Sequence, residues 1–204
     1  MAQPPQRPRR SPTQERSLRT VEVIVEATAR VLVEQGYERT TTNRVARVAG
    51  VSVGSLYQYY PNKEALVGAV LEREMSRVTA ILLEALTAHA SAPLPVLVRA
   101  LVDALLASHR ENMALRRVMM QEVPRLGLLG DFEDNLDRLQ RIFIALLEPR
   151  GDRVRPADVE LATFVLVHAL AGATRAAIHR RPAHLGHADL AVEITALVCR
   201  YLEP

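Results

Sequence analysis

Residues 41–60 confine the fold more than any other stretch. Thr41 can cap a helical run over about 42–49, Gly50-Val51 makes a tight turn, and Ser52 caps a second run ending at Tyr59 or Tyr60. Pro61-Asn62 then breaks the chain, and Asn62 caps a long helix. Two short helices joined by a glycine turn form a helix-turn-helix, whose second helix enters a DNA major groove while the first crosses behind it. Val45, Ala46, Val48 and Ala49 supply the inner face of the first helix, and Val51 and Leu56 pack the turn and the second. Val53, Gly54, Ser55 and Gln58 remain outward, small or polar enough to approach base edges, with Gly54 letting the backbone come close. Thr42, Ser52, Tyr57 and Tyr59 offer hydroxyls to phosphate oxygens, contacts that set register rather than sequence. Lys63 falls in the first turn of the next helix, where free N–H groups favour anions.

The rest of the chain keeps a helical period. Ser11-Pro12-Thr13-Gln14 reads as a helix start, followed by Leu18, Val21, Ile24, Val25, Thr28, Val31 and Leu32, with Gly36 as the stop. The fourth helix carries Leu66, Val70, Leu71, Met75, Val78, Ile81, Leu82 and Leu86 on one side and fades at a linker over 90–95. Further helices are expected at about 95–110, 111–125, 131–148, 157–180 and 187–203. Asn112, Gly127/Gly130, Pro149-Arg150-Gly151 and Pro182 to Gly186 separate them. No β-branched alternation with hairpin turns occurs, so the chain reads as all-α. Its expected divisions are a disordered basic tail (1–10), a three-helix DNA-binding domain with the helix-turn-helix (11–62), and a larger helical effector-binding and dimerisation domain (63–204).

Charge divides along the same line. Residues 1–63 hold ten basic and five acidic side chains, net +5, whereas residues 64–204 hold sixteen and eighteen, net −2. A basic front suits a polyanion. A single cysteine, Cys199, excludes a disulfide framework and a multi-cysteine zinc site, and fits a reducing, cytoplasmic compartment as a buried thiol. The N-terminus lacks the apolar core of a secretion signal. The longest uncharged apolar stretch, Leu161 to Thr174, is short of the roughly 20 residues of a membrane span.

The stretch from Tyr37 to Leu66 resembles the DNA-binding domain of the TetR family of bacterial transcriptional regulators. The matching elements are Gly36-Tyr37, Thr40-Thr41-Thr42, Val45-Ala46, Ala49-Gly50-Val51-Ser52, Gly54-Ser55-Leu56-Tyr57 and Pro61-Asn62-Lys63-Glu64-Ala65-Leu66. The resemblance covers about residues 14–70 and elsewhere extends only to length and helix layout. It implies a homodimer with two such headpieces and a divergent body that commonly holds an inducer pocket. It also implies phosphate contacts at Thr42, Ser52, Tyr57, Tyr59 and Lys63, and a base-facing side at Val53, Gly54, Ser55 and Gln58. Tyr59 stands where many members have His, and Tyr60, read as mainly packing, stands where Phe is usual.

Two rival patterns fail on context. Gly50-Val51-Ser52-Val53-Gly54 matches the G-x-S-x-G elbow of hydrolases, and Asp103 or Asp131 with His168 or His179 would complete the order. An elbow needs a strand before its serine, and Arg44 to Ala49 is helical, so no enzyme is expected. His184 and His187, with His179 and Asp189 nearby, could be a partial metal site, but they lie in a Pro/Gly-bounded loop and are read as solvated. No metal and no cofactor are expected.

In the body, the 157–180 helix is apolar nearly all round: Leu161, Phe164, Val165, Leu166, Val167, Leu170 and Ile178. Such a helix needs burial on both sides. Ala169, Gly172, Ala173, Ala176 and Ala177 allow close approach, and the 187–203 helix adds Leu190, Ile194, Leu197, Val198 and Tyr201. Paired across two subunits, these helices would make a four-helix homodimer interface, as the resemblance also implies; the alternative is a single-chain core with no partner. Candidate pocket residues are Leu82, Leu86, Leu105, His109, Met113, Met119, Met120, Val123, Phe143 and Leu147, each also a candidate for ordinary core. His168 is either a core histidine bonded to a neighbour or a pocket residue. The sequence points to a repressor on a near-palindromic operator of double-stranded DNA, released by a small, largely apolar effector. The alternative is a helical small-molecule-binding protein that has lost DNA binding.

Overall fold

The computed structural model describes residues 15–153, 155, 158–186 and 188–203. The expected basic tail, the start at Ser11 to Gln14, and His187 lie outside the described residues. Among those described there are nine α-helices and no strand: α1 (Glu15–Arg39), α2 (Thr42–Ala49), α3 (Val53–Tyr59), α4 (Lys63–Ala88), α5 (Leu94–Glu111), α6 (Met113–Glu122), α7 (Leu129–Leu147), α8 (Val159–Arg180) and α9 (Ala188–Leu202). Short 3-10 turns occupy Glu148–Arg153 and Pro182–Gly186, where separators were expected. Gly36 breaks α1 at φ 73°, as a stop should, but one more helical turn follows it. Gly130 is no separator. The break falls at Gly127, φ 70°, and α7 has begun by Leu129.

The chain forms two compact units. One holds the described residues up to Met75 together with Ala114–Asp131. Here α1 packs on α2 and α2 on α3. Ile24, Val31 and Leu32 of α1, Val45 of α2, Leu56 of α3, and Leu66, Val67 and Val70 of α4 are fully buried. Each such side chain contributes about 1.5–3 kcal/mol of burial. Leu128 is buried too, its Cδ2 3.7 Å from where a Cβ on Gly68 would stand. Arg73 ties α4 to α1 through Glu26 at 2.8 Å.

The other unit holds Ser76–Met113 and the described residues from Phe132 on. Its core gathers Val78 and Leu82 of α4, Leu97 and Leu101 of α5, Leu136 and Leu139 of α7, and Val167 of α8. Helices α5 and α9 lie side by side, and Arg77 joins α4 to α5 through Glu111 at 2.7 Å. Asp158 caps α8, its carboxylate accepting from the Leu161 amide at 2.9 Å.

Helix α8 has two different apolar sides. Ala162, Thr163, Val167, Thr174, Ala177 and Ile178 are buried within the subunit. Leu161 at 58% exposure, Phe164 at 47% and Val165 at 42% face out, as do Val192 and Leu197 of α9. By length and apolar content alone, α8 would suffice to cross a membrane. That exceeds what the uncharged stretch suggested, because the helix runs on past Arg175 to Arg180.

Candidate nucleic-acid interface

Local caps build the helix pair. Thr41 is extended at φ −131° and its hydroxyl accepts from the Arg44 amide at 3.2 Å, starting α2. Gly50 ends α2 in the left-handed region at φ 68°, where a side chain is disfavoured, and the Val51 amide donates to the Ala46 carbonyl at 3.0 Å. Ser52 Oγ accepts from the Ser55 amide at 3.0 Å and starts α3. Asn62 Oδ1 accepts from the Ala65 amide at 2.8 Å and starts α4. With Val45, Ala46 and Leu56 buried, the opposite side of α3 is turned outward.

The residues selected from the sequence lie on α3 and its cap and at the starts of α2 and α4. Ser52, Val53, Gly54, Tyr57 and Gln58 are exposed, while Thr42, Ser55, Tyr59 and Lys63 are half-buried. The Thr42 and Tyr57 hydroxyls meet at 3.1 Å, and those of Ser52 and Ser55 at 2.8 Å. Tyr59 reaches Ser17 of α1, hydroxyl to hydroxyl, at 2.9 Å. Tyr60 is 3% exposed and packs inside. Arg47, in the last turn of α2, is exposed and adds positive charge.

Lys63 is held. Its ammonium donates to the Tyr37 carbonyl at 3.1 Å and sits 3.8 Å from the centroid of the Tyr37 ring. The Tyr37 hydroxyl donates to Glu64 Oε1 at 2.8 Å. Burial, then the hydrogen bond and charge of Glu64, push the Tyr37 phenol well above its ordinary range, so it stays a donor. The charges of Glu122 and Glu38 act in the same direction. Neither Tyr37 nor Glu64 was singled out from the sequence for a role. The Gly36-Tyr37 and Lys63-Glu64 pairs were visible as parts of the pattern, but no periodicity links positions so far apart.

The G-x-S-x-G serine, Ser52, caps a helix that follows a helix. Asp103 is engaged with Arg99 at 2.7 Å. His179, His184 and Asp189 are all exposed.

The residues selected for a ligand pocket divide between the units. Met119 and Val123, both buried, and the half-buried Met120 belong with the helix-turn-helix unit. In the other unit, Leu82 lies in the core cluster and Leu86, Leu105 and Phe143 pack against it. Leu147 and His109 are buried there, and Met113 is half-buried. His109 Nδ1 lies 3.4 Å from Ser108 Oγ. His168 bonds through Nδ1 to the Phe164 carbonyl at 2.9 Å, with the two rings 4.3 Å apart, beside the exposed apolar side of α8.

Comparison with known proteins agrees with this geometry. Residues 24–70 match the bacterial regulatory proteins of the tetR family, and residues 93–202 match the tetracyclin repressor-like C-terminal domain. The nucleoid occlusion factor SlmA of Haemophilus ducreyi is 33% identical over 86 residues, 42% of either chain. The A-factor receptor protein of Streptomyces griseus is 37% identical over 65 residues, 32% of this chain and 24% of that one. The chain thus spans less than half the length of these relatives. A crystal structure of a TetR-family transcriptional regulator from Mesorhizobium loti superposes with a TM-score of 0.74 at 24% identity, over 94% of this chain and all of the other. The fatty acid degradation regulator FadR from Bacillus halodurans gives 0.67 at 19% identity, over 90% and 94% of the two chains. At these identities the structural likeness is one of fold. With α3 turned outward from a helix-turn-helix and both the front and the body of the sequence matched, the chain belongs to the tetR family of bacterial regulatory proteins.

Proposed function

We propose that this chain is a homodimeric, sequence-specific DNA-binding transcriptional regulator of the cytoplasm, acting as a repressor that a small, largely apolar effector releases from its operator. The observation that carries the reading is α3 itself. It is a capped helix that buries Leu56 and turns Ser52, Val53, Gly54, Tyr57 and Gln58 to solvent. A major groove accepts such a helix, with side chains of these kinds on base edges and phosphates. In this reading the DNA-binding part is 11–62 and the effector-binding and dimerisation part 63–204, a division of roles that differs from the compact units, since Ala114–Asp131 belongs with the helix-turn-helix unit.

Dimerisation through α8 and α9 is supported by the apolar side chains they leave exposed, among them Leu161, Phe164, Val165 and Leu197. An apolar effector is supported by the candidates that share one unit, Leu82, Leu86, Leu105, Met113, Phe143 and Leu147, all of them apolar. The names of the Streptomyces and Bacillus proteins, a receptor and a regulator of fatty acid degradation, fit that choice.

Selection of bound duplexes from a random pool tests the function. The expected product is a near-palindrome whose half-sites are one helical turn, about 34–36 Å, or a multiple of it, apart. Retention of every sequence equally, or of none, would leave the helical small-molecule carrier as the better reading.

A further inference from the structure

Lys63 and Tyr37 lie far apart in the sequence, yet the Lys63 ammonium is bracketed by two parts of Tyr37, its carbonyl at 3.1 Å and its ring at 3.8 Å. The ring is itself anchored, because its hydroxyl is bonded at 2.8 Å to Glu64, the residue after Lys63. Three consequences follow. A lysine ammonium has three N–H donors, and one goes to the carbonyl. The ring face attracts the cation, more so where both are partly withdrawn from water, and both residues are half-buried. A long lysine chain ordinarily loses its freedom on meeting a phosphate, whereas here much of that loss has already occurred in the free protein.

We propose that Tyr37 is a positioning residue for DNA binding that acts through Lys63. Its ring and carbonyl hold the ammonium at the start of α4, and the remaining N–H groups meet a backbone phosphate without a further search. Tyr37 itself touches no DNA. The proposal rests on the DNA-binding reading above, and the two can fail separately.

Lys63 is the only lysine in the chain, so protein labelled with 13C,15N-lysine gives one set of side-chain NMR signals. In the full chain without DNA, the Tyr37 ring current should move the Lys63 ε-methylene protons upfield of an exposed lysine. Tyr37→Phe should keep that shift and Tyr37→Leu should abolish it. An unshifted wild-type signal overturns the proposal whatever the chain does with DNA. The second arm is a double-mutant cycle on a duplex selected by the wild type. Tyr37→Leu should weaken binding by about threefold to tenfold, the range for one immobilised side chain. In a Lys63→Met background the same change should add less than about twofold, because the residue it acts through is gone. An equal loss in both backgrounds marks a merely structural Tyr37 and overturns the proposal. Should Tyr37→Leu fail to fold, Tyr37→Met repeats the cycle. A wild type that selects no duplex sinks the DNA-binding reading and this proposal with it, while the ring shift still reports the seat of Lys63.

Discussion

The Thr42 and Tyr57 hydroxyls stand 3.1 Å apart, joining the first turn of α2 to α3 across the helix-turn-helix. Either oxygen can donate to the other, so the pair can turn one O–H toward a phosphate while the second supports it.

Tyr57→Phe tests that arrangement. Tyr57 is 43% exposed, so loss of its hydroxyl should change folding stability by no more than about 0.5 kcal/mol. Binding should weaken by about 0.5–1.5 kcal/mol, equally on operator and random duplex, because phosphates carry no sequence. Anisotropy titrations on both DNAs decide. A loss confined to the operator would make Tyr57 a base reader instead.

Gly54 and Gln58 share the outer side of α3 but should respond differently. Among the described residues, its chain neighbours and own helical backbone aside, a Cβ at Gly54 would meet only Ser52 Oγ, at an ordinary 3.9 Å. Gly54→Ala should therefore raise thermal stability, by up to about 1 kcal/mol of helix propensity, while weakening DNA binding through lost backbone approach. Gln58→Ala should leave stability alone and cost about 1–3 kcal/mol on the operator only. Melting curves with paired titrations check both, and a Gly54→Ala protein that binds as tightly as wild type removes the close-approach role.

Gly172→Arg probes the α8 surface. Among the described residues, its chain neighbours and its own helical backbone aside, nothing lies within 4 Å of a Cβ placed there, so a side chain can start from Gly172 without a clash inside the subunit. Beside the exposed Phe164, Val165 and Ala169, the charge should block a partner helix, leaving a folded monomer with greatly weakened operator binding. Sedimentation combined with an operator titration is the check. A folded monomer that binds the full operator at wild-type strength rules out dimer spacing as the basis of recognition.

Alkaline stability should depend on Tyr60. Burial, and secondarily the charge of Glu72, push its phenol from 10.0 up to about 12. Between those values the unfolded chain has lost a proton that the folded chain retains. The contribution is whole below about pH 10 and is lost as pH rises toward 12. Tyr37 is shifted in the same direction, so Tyr60→Phe should make the decline shallower without abolishing it. Denaturant midpoints at pH 8 and pH 11 measure this, and an unchanged decline in the variant would show that Tyr60 does not titrate across the transition.

The helix-turn-helix was legible because its determinants are local. Thr41, Ser52 and Asn62 each accept an amide three residues on, and Gly50 needs only its own backbone freedom. Such contacts lie within one helical turn, so residue order alone specifies them. The inner residues Val45, Ala46 and Leu56 were legible for the same reason, since helical spacing puts them on one side.

What the period could not decide is which apolar side chains meet which partners. Val167 and Phe164 are both apolar positions of α8, yet one is core and the other 47% exposed. Met119 and Leu82 looked like two walls of one pocket, and they fall in different compact units. Lys63 was placed in the first turn of α4 as a phosphate contact, and the sequence did not show that its ammonium rests on Tyr37. The sequence by itself determined the caps, the helical class and the outward side of α3, because those depend on neighbours within a few residues. Only the tertiary structure decided the seat of Lys63, the unit to which Ala114–Asp131 belongs and the side of α8 left bare, because each depends on contacts between helices distant along the chain.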